Sequence, residues 1–212
     1  MYNQGPFSSW VPKPVMLLLI ILFLLCFSAI TGVYVTLSSD IYGAMGMYAE
    51  YVTMAYNANT IGMGAAILLI VRFKSRFRSK EIIAGSAVIL AGLCMVCAQT
   101  DDPVVIVFCS LLIGFVKMFP LMEMTLPLMF ILSPTGERGK FYSIYYPLII
   151  VVSQWAGYYV SKLVLLGSWQ SPYYFMAVLM LGVAALSLIF QHNQRFSFKK
   201  PLYQIDWLSI IL

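Results

Sequence analysis

Apolar residues run along this chain in six long blocks, residues 15–38, 46–71, 82–99, 104–132, 144–166 and 172–190, separated by short polar gaps. Each block approaches or exceeds the about 20 apolar residues that a helix needs to cross the hydrocarbon of a bilayer. A spanning chain finds no water there and must satisfy its own backbone, so each block predicts a transmembrane helix. The expected fold class is all-α, a polytopic membrane bundle of six transmembrane helices plus the start of a seventh. The fourth block is long enough to tilt or bend, and Pro120 and Pro127 are the places for a bend.

The polar gaps orient the bundle. Eleven of the thirteen Lys and Arg residues lie in alternate gaps: Lys13, then Arg72, Lys74, Arg76, Arg78 and Lys80, then Arg138 and Lys140, then Arg195, Lys199 and Lys200. The intervening gaps hold Asp40, then Asp101 and Asp102, then the uncharged stretch 167–170. The positive-inside bias puts the basic gaps in the cytoplasm. The expected organisation is a cytoplasmic amino terminus at 1–14, a six-helix domain at 15–190 and a cytoplasmic linker at 191–206. A seventh helix would start at 207–212, with Trp207 at the interface. The chain therefore reads as the amino-terminal part of a longer protein. The residues up to Lys13 are too polar to open a cleavable signal, so the first block is expected to be a retained span of a multi-pass plasma-membrane protein, in bacteria the inner membrane.

Composition narrows the function classes. With 61% apolar and 10% charged residues, the chain does not resemble a soluble domain around a buried core. The net charge of +5 sits in the gaps and reads as topology, not as a nucleic-acid surface. Cys26, Cys94, Cys97 and Cys109 all fall inside apolar blocks, and no second Cys pair or nearby His completes a zinc set around the CxxC at 94–97. No GxxxxGK[ST] loop, HExxH helix or Ser/His/Asp arrangement occurs, and His192 is the single histidine. No metal, cofactor or catalytic residue is expected, and an enzyme ranks last among the functional readings.

Polar residues inside spans are costly and mark functional candidates. Lys117 lies near the middle of the fourth block and Glu123 nearer its basic end. Six positions apart, they sit roughly 120° apart around a straight helix, so each is expected to face a polar group on another helix or a watery cavity. The second block carries Glu50, Thr53, Asn57, Thr60 and Gly64 on one helical face. The fifth offers Tyr146, Gln154, Tyr158 and Lys162, with Lys162 placed to snorkel outwards. Small residues at Gly62, Gly64, Ala84, Ala87, Ala91, Gly182 and Ala185 would let helices approach closely.

Six spans, a cytoplasmic amino terminus and a basic second-to-third loop resemble the amino-terminal half of the major facilitator superfamily. That family carries GxxxDRxGRR in this loop. The stretch 71–80 reads VRFKSRFRSK, with Arg76 and Lys80 on basic positions and Val71, Ser75 and Arg78 in place of the first Gly, the Asp and the second Gly. The drug-exporter signature of the fourth span would map onto Ser110 and Gly114, with its Arg absent. The antiporter motif of the fifth would fall on 153–158, where only Gly157 matches. Asp206-Trp207-Leu208 is similar to the opening of the seventh helix in fourteen-helix drug:proton antiporters, and Gly136, Arg138 and Gly139 suit the fourth-to-fifth loop of that group. The resemblance implies two three-helix inverted repeats, of which Ser28…Gly32 and Ser110…Gly114 are the visible echo.

The expectation that follows is a secondary transporter exporting small amphipathic compounds by proton-coupled alternating access. Its partners would be the lipid bilayer, a small-molecule substrate and protons, and a carboxy-terminal half of the same transporter. Glu50 or Glu123 would carry the proton, and Asn57, Lys117, Tyr146 and Gln154 would line the substrate cavity. Arg72, Lys74, Arg76, Arg78 and Lys80 would form a cytoplasmic gate loop. Two alternatives stand beside it: an importer of an anionic solute drawn by Lys117, and a non-transporting six-helix scaffold or partner subunit.

Overall fold

The computed structural model describes residues 7–8, 10–45, 49–132, 138–168 and 170–192. The expected linker beyond residue 192, the start of a seventh helix at 207–212 and the loop at 133–137 lie outside the described residues. Among the described residues six helices follow in order: α1 (Lys13–Met45), α2 (Ala49–Arg76), α3 (Ser79–Gln99), α4 (Pro103–Leu132), α5 (Arg138–Leu166) and α6 (Ser171–Phe190). Each takes in all or most of one apolar block. α1 runs on to Met45, beyond the expected end at residue 38, and α5 starts earlier, at Arg138. Among the described residues the sole β element is an isolated bridge between Phe7 and Gln191.

Among the described residues five helices are long and apolar enough to cross a membrane: α1, α2, α3, α4 and α6. α5 has the length, at 29 residues, but Ser143, Ser153, Gln154, Ser161 and Lys162 interrupt its apolar sequence. Burial agrees with a bilayer as the solvent. Large apolar side chains such as Ile61, Phe108, Ile144, Val178 and Ile189 stand outward from the bundle. A soluble monomer rarely exposes apolar patches of such extent. α4 continues through Pro120 and Pro127, and α5 through Pro147. Packed neighbours make interior prolines tolerable in membrane helices.

Helices adjacent in sequence are not the principal partners in space. α2 packs most extensively on α4, α5 on α1, and α3 on α6, while α1 and α4 meet between them. The main apolar core joins Phe23, Phe27 and Ile30 of α1 to Ile83, Leu90 and Cys94 of α3 and to Met176, Met180 and Val183 of α6. A smaller cluster of Ala66, Ile82 and Phe119 ties α2, α3 and α4.

The residues just before α1, the α2–α3 elbow and the end of α6 meet at one end of the bundle. Phe7, 2% exposed, is buried there, and Ser8 N–H donates to the Phe190 carbonyl at the end of α6. Trp10 leans on Phe190 with ring centroids 5.3 Å apart. Lys80, in the first turn of α3, donates to the Leu188 carbonyl at 2.6 Å. Phe7, Ser8 and Trp10 are therefore tied to the end of α6. At the opposite end, Thr100, Asp101 and Asp102 connect α3 to α4, and the Asp102 carboxylate accepts from Val104 N–H at 2.9 Å. A carboxylate at this point satisfies a helix-start donor and complements the helix dipole.

Candidate functional site

Two polar clusters stand along α4, built by its packing against α2. Gly62 of α2 and Gly114 of α4 make the approach possible. A Cβ on Gly62 would overlap the Leu111 carbonyl oxygen, and one on Gly114 would overlap the Asn59 carbonyl oxygen. At these two positions a hydrogen in place of a side chain lets the backbones touch, as small residues do at membrane helix seams.

The touching backbones place Asn59 within reach of α4. Lys117, fully buried, donates from Nζ to Asn59 Oδ1 at 2.7 Å. Asn59 Nδ2 donates in turn to the Ser110 carbonyl at 3.1 Å. The Ser110 hydroxyl folds back on its own helix, donating to the Ile106 carbonyl at 2.7 Å, as Ser28 does to Leu24 in α1. Asn59 thus receives one hydrogen bond and gives one, both across the seam. An amide serves both directions, which suits a residue between a cation and a carbonyl.

The second cluster lies toward the basic end. Glu123, 6% exposed, pairs through Oε2 with Lys74 Nζ at 3.0 Å and accepts at Oε1 from the Ser79 hydroxyl at 2.5 Å. Lys74 is in the last turn of α2 and Ser79 opens α3, so one carboxylate ties three helices. A small cavity lies beside it, lined by Ile70, Ile82, Phe119, Met122 and Leu126 together with the ion pair. Breaking such a pair by removing one partner leaves an uncompensated buried charge, which is costly.

The other expected site residues do not join these clusters. Glu50, Thr53, Asn57, Thr60 and Gly64 are exposed together on the outer face of α2. Tyr146, Gln154 and Tyr158 are exposed on α5, and the Lys162 ammonium sits 4.7 Å from the Tyr158 ring centroid. Asn57, Tyr146 and Gln154 therefore do not enclose a cavity with Lys117 inside the described bundle. Lys117 and Glu123 each bond to another helix. In the expected gate loop, Arg76 is exposed while Lys74 and Lys80 turn to Glu123 and Leu188. Arg72 is half-buried, and Arg78 lies 3.9 Å from Glu81.

Sequence reasoning missed Asn59, Ser79 and the bond between Thr125 and Tyr145, 3.0 Å, that joins α4 to α5. A signal for Asn59 was present. Ala55, Ala58, Gly62 and Ala66 recur with it at helical spacing, and all are buried. The small-residue face, not the polar stripe, marked the seam. Among the described residues no group of three His, Cys, Asp or Glu side chains is placed to hold a metal ion. Compared with known proteins, the chain matches no protein-family model and no curated sequence.

Proposed function

We propose that this chain is a six-helix module of a secondary transporter of the major-facilitator type, with its amino terminus in the cytoplasm. It would export small amphipathic compounds by alternating access, driven by a proton gradient. The observation that carries this reading is Lys117, wholly buried near the middle of α4 and bonded to Asn59 of α2. Transporter sites lie near the bilayer midplane at the interface between three-helix repeats, and ionisable residues there mark solute or proton pathways. The helix partners support two such repeats: exchanging α1 with α4, α2 with α5 and α3 with α6 turns the α2–α4 pairing into the α5–α1 pairing.

In this reading the outward polar face of α2 and the Tyr146, Gln154 and Tyr158 face of α5 meet water or a second six-helix body instead of lipid. Polar groups facing hydrocarbon would be unsatisfied. Glu123 is the proton site, released from Lys74 and Ser79 as the basic end opens. Glu50, exposed in the first turn of α2, is the second carboxylate candidate. The test uses proteoliposomes holding the native gene product, an imposed pH gradient and a fluorescent amphipathic cation. Gradient-driven movement that Glu123→Gln uncouples is the expected result.

A second reading, a non-transporting membrane scaffold or partner subunit, draws on the same contacts. Both ionisable residues of α4 already have partners within the bundle, as a purely structural role requires. Absence of gradient-driven movement for cations and anions alike, together with a protein partner lost on Lys117→Met, would favour it. Gradient-driven uptake of an anion abolished by Lys117→Met would favour the import reading.

A further inference from the structure

We propose that the elbow between α2 and α3 binds the headgroup of an anionic phospholipid, with the Arg76 and Arg78 guanidinium groups on its phosphate and Phe77 seated among the upper acyl carbons. The inference does not depend on whether the bundle transports anything. The elbow consists of two residues, Phe77 and Arg78, so the last residue of α2 and the first of α3 stand close together. Five cations fall between residues 72 and 80; Arg72 is half-buried, and the fold sorts the other four. Lys74 turns inward to Glu123, and Lys80 caps the end of α6 at the Leu188 carbonyl. Arg76 is exposed. Arg78 keeps 36% of its side chain exposed, and its Glu81 partner, 3.9 Å away, is itself half exposed. The other carboxylate near the elbow, Glu123, is engaged by Lys74 and Ser79.

Phe77 stands between the two arginines, 43% exposed. It is not loose: its ring stacks on Phe73 at 5.6 Å, and Phe73 leans on Phe119 of α4 at 4.6 Å. An anchored aromatic flanked by two guanidinium groups at the end of a span fits the bilayer boundary, with the ring below and the charges at headgroup level. Trp10, 62% exposed against Phe190 at this same end, marks that level independently, since tryptophan favours membrane interfaces. Guanidinium forks match phosphate oxygens in a bidentate manner. Basic side chains next to a span each strengthen binding to an anionic surface about fivefold, and salt screens the effect.

The test is native mass spectrometry of the purified chain incubated with phosphatidylglycerol or with phosphatidylcholine of the same acyl chains. Phosphatidylglycerol adducts are expected to survive activation that strips phosphatidylcholine. The double variant Arg76→Gln/Arg78→Gln should weaken phosphatidylglycerol binding about 25-fold, the product of two such factors, and leave phosphatidylcholine binding unchanged. Should the double variant lose helical circular dichroism, Arg76→Gln alone, at an exposed position, is expected to weaken binding about fivefold. Equal retention of the two lipids, or unchanged phosphatidylglycerol binding in the folded variants, overturns the proposal. Displacement of the lipid by equimolar inorganic phosphate also overturns it, because the site would then take a soluble anion.

Discussion

Gly114 of α4 lies against the backbone of Asn59 in α2 so closely that a Cβ on Gly114 would sit 2.8 Å from the Asn59 carbonyl carbon and overlap its oxygen. On the same residue, the Asn59 side-chain Oδ1 accepts from Lys117 Nζ at 2.7 Å. The glycine contact sets the distance between helices, and that distance sets the hydrogen bond.

Gly114→Ala and Gly62→Ala are each expected to destabilise the bundle by about 3 kcal/mol or more, at the upper end of overpacking costs because backbone cannot move aside as a side chain can. Gly64→Ala and Gly92→Ala, which meet nothing within 4 Å, are expected to be neutral or slightly stabilising through helix propensity. Unfolding in mixed detergent, followed by circular dichroism, separates the two pairs. Equal midpoints for all four variants would refute the close seam.

Asn59→Ala is expected to cost about 1–3 kcal/mol, because it removes the bond to the buried Lys117 ammonium and the bond to Ser110. Asn57→Ala, on the exposed face of the same helix, should change stability by less than about 0.5 kcal/mol. Lys117→Met keeps an unbranched chain one atom shorter and removes the charge, so it should cost less than Asn59→Ala. A double-mutant cycle over Asn59 and Lys117 is expected to give a coupling of about 1 kcal/mol or more. Additive single effects would show that the bond carries no energy.

Glu123→Gln keeps the shape of the side chain and a partner for Ser79 but leaves Lys74 without its carboxylate. The expected loss is about 3 kcal/mol, the cost of breaking a buried pair from one side. Replacing both, Lys74→Met with Glu123→Leu, should recover most of it. Thermal denaturation of the single and double variants measures this directly, and a double variant no better than Glu123→Gln would contradict a simple ion pair.

Cys94 and Cys97 of α3 and Cys109 of α4 belong to the same apolar core, and all three are buried free thiols. Buried thiols in apolar surroundings are unreactive. Maleimide should label none of the three in the folded protein and all of them after denaturation, with intact mass as the readout. Rapid labelling of Cys97 in the native state would show that the α3–α4 contact opens.

What the sequence by itself determined were the helices and their grouping at the ends. Hydropathy is a property of a local window, and residues 82–99 and 172–190 read as spans that the structure realises as Ser79–Gln99 and Ser171–Phe190. The basic gaps were equally legible, and Lys74, Lys80 and the segment at Phe7 do gather at one end. The angular separation of Lys117 and Glu123 was enough to tell that they seek different partners. Only the tertiary structure decided which partners. Asn57 and Asn59 are both polar residues of one helix; the small residues around Asn59 mark its face for close packing, but no local window says that α4 is what meets it. That choice depends on Gly62 meeting Leu111 and Gly114 meeting Asn59, contacts between residues about 50 positions apart. α5 shows the same limit: its polar residues can be read from the sequence, but their outward placement follows from which of its faces packs on α1. Periodicity fixes which residues share a face, and packing across the bundle fixes what that face meets.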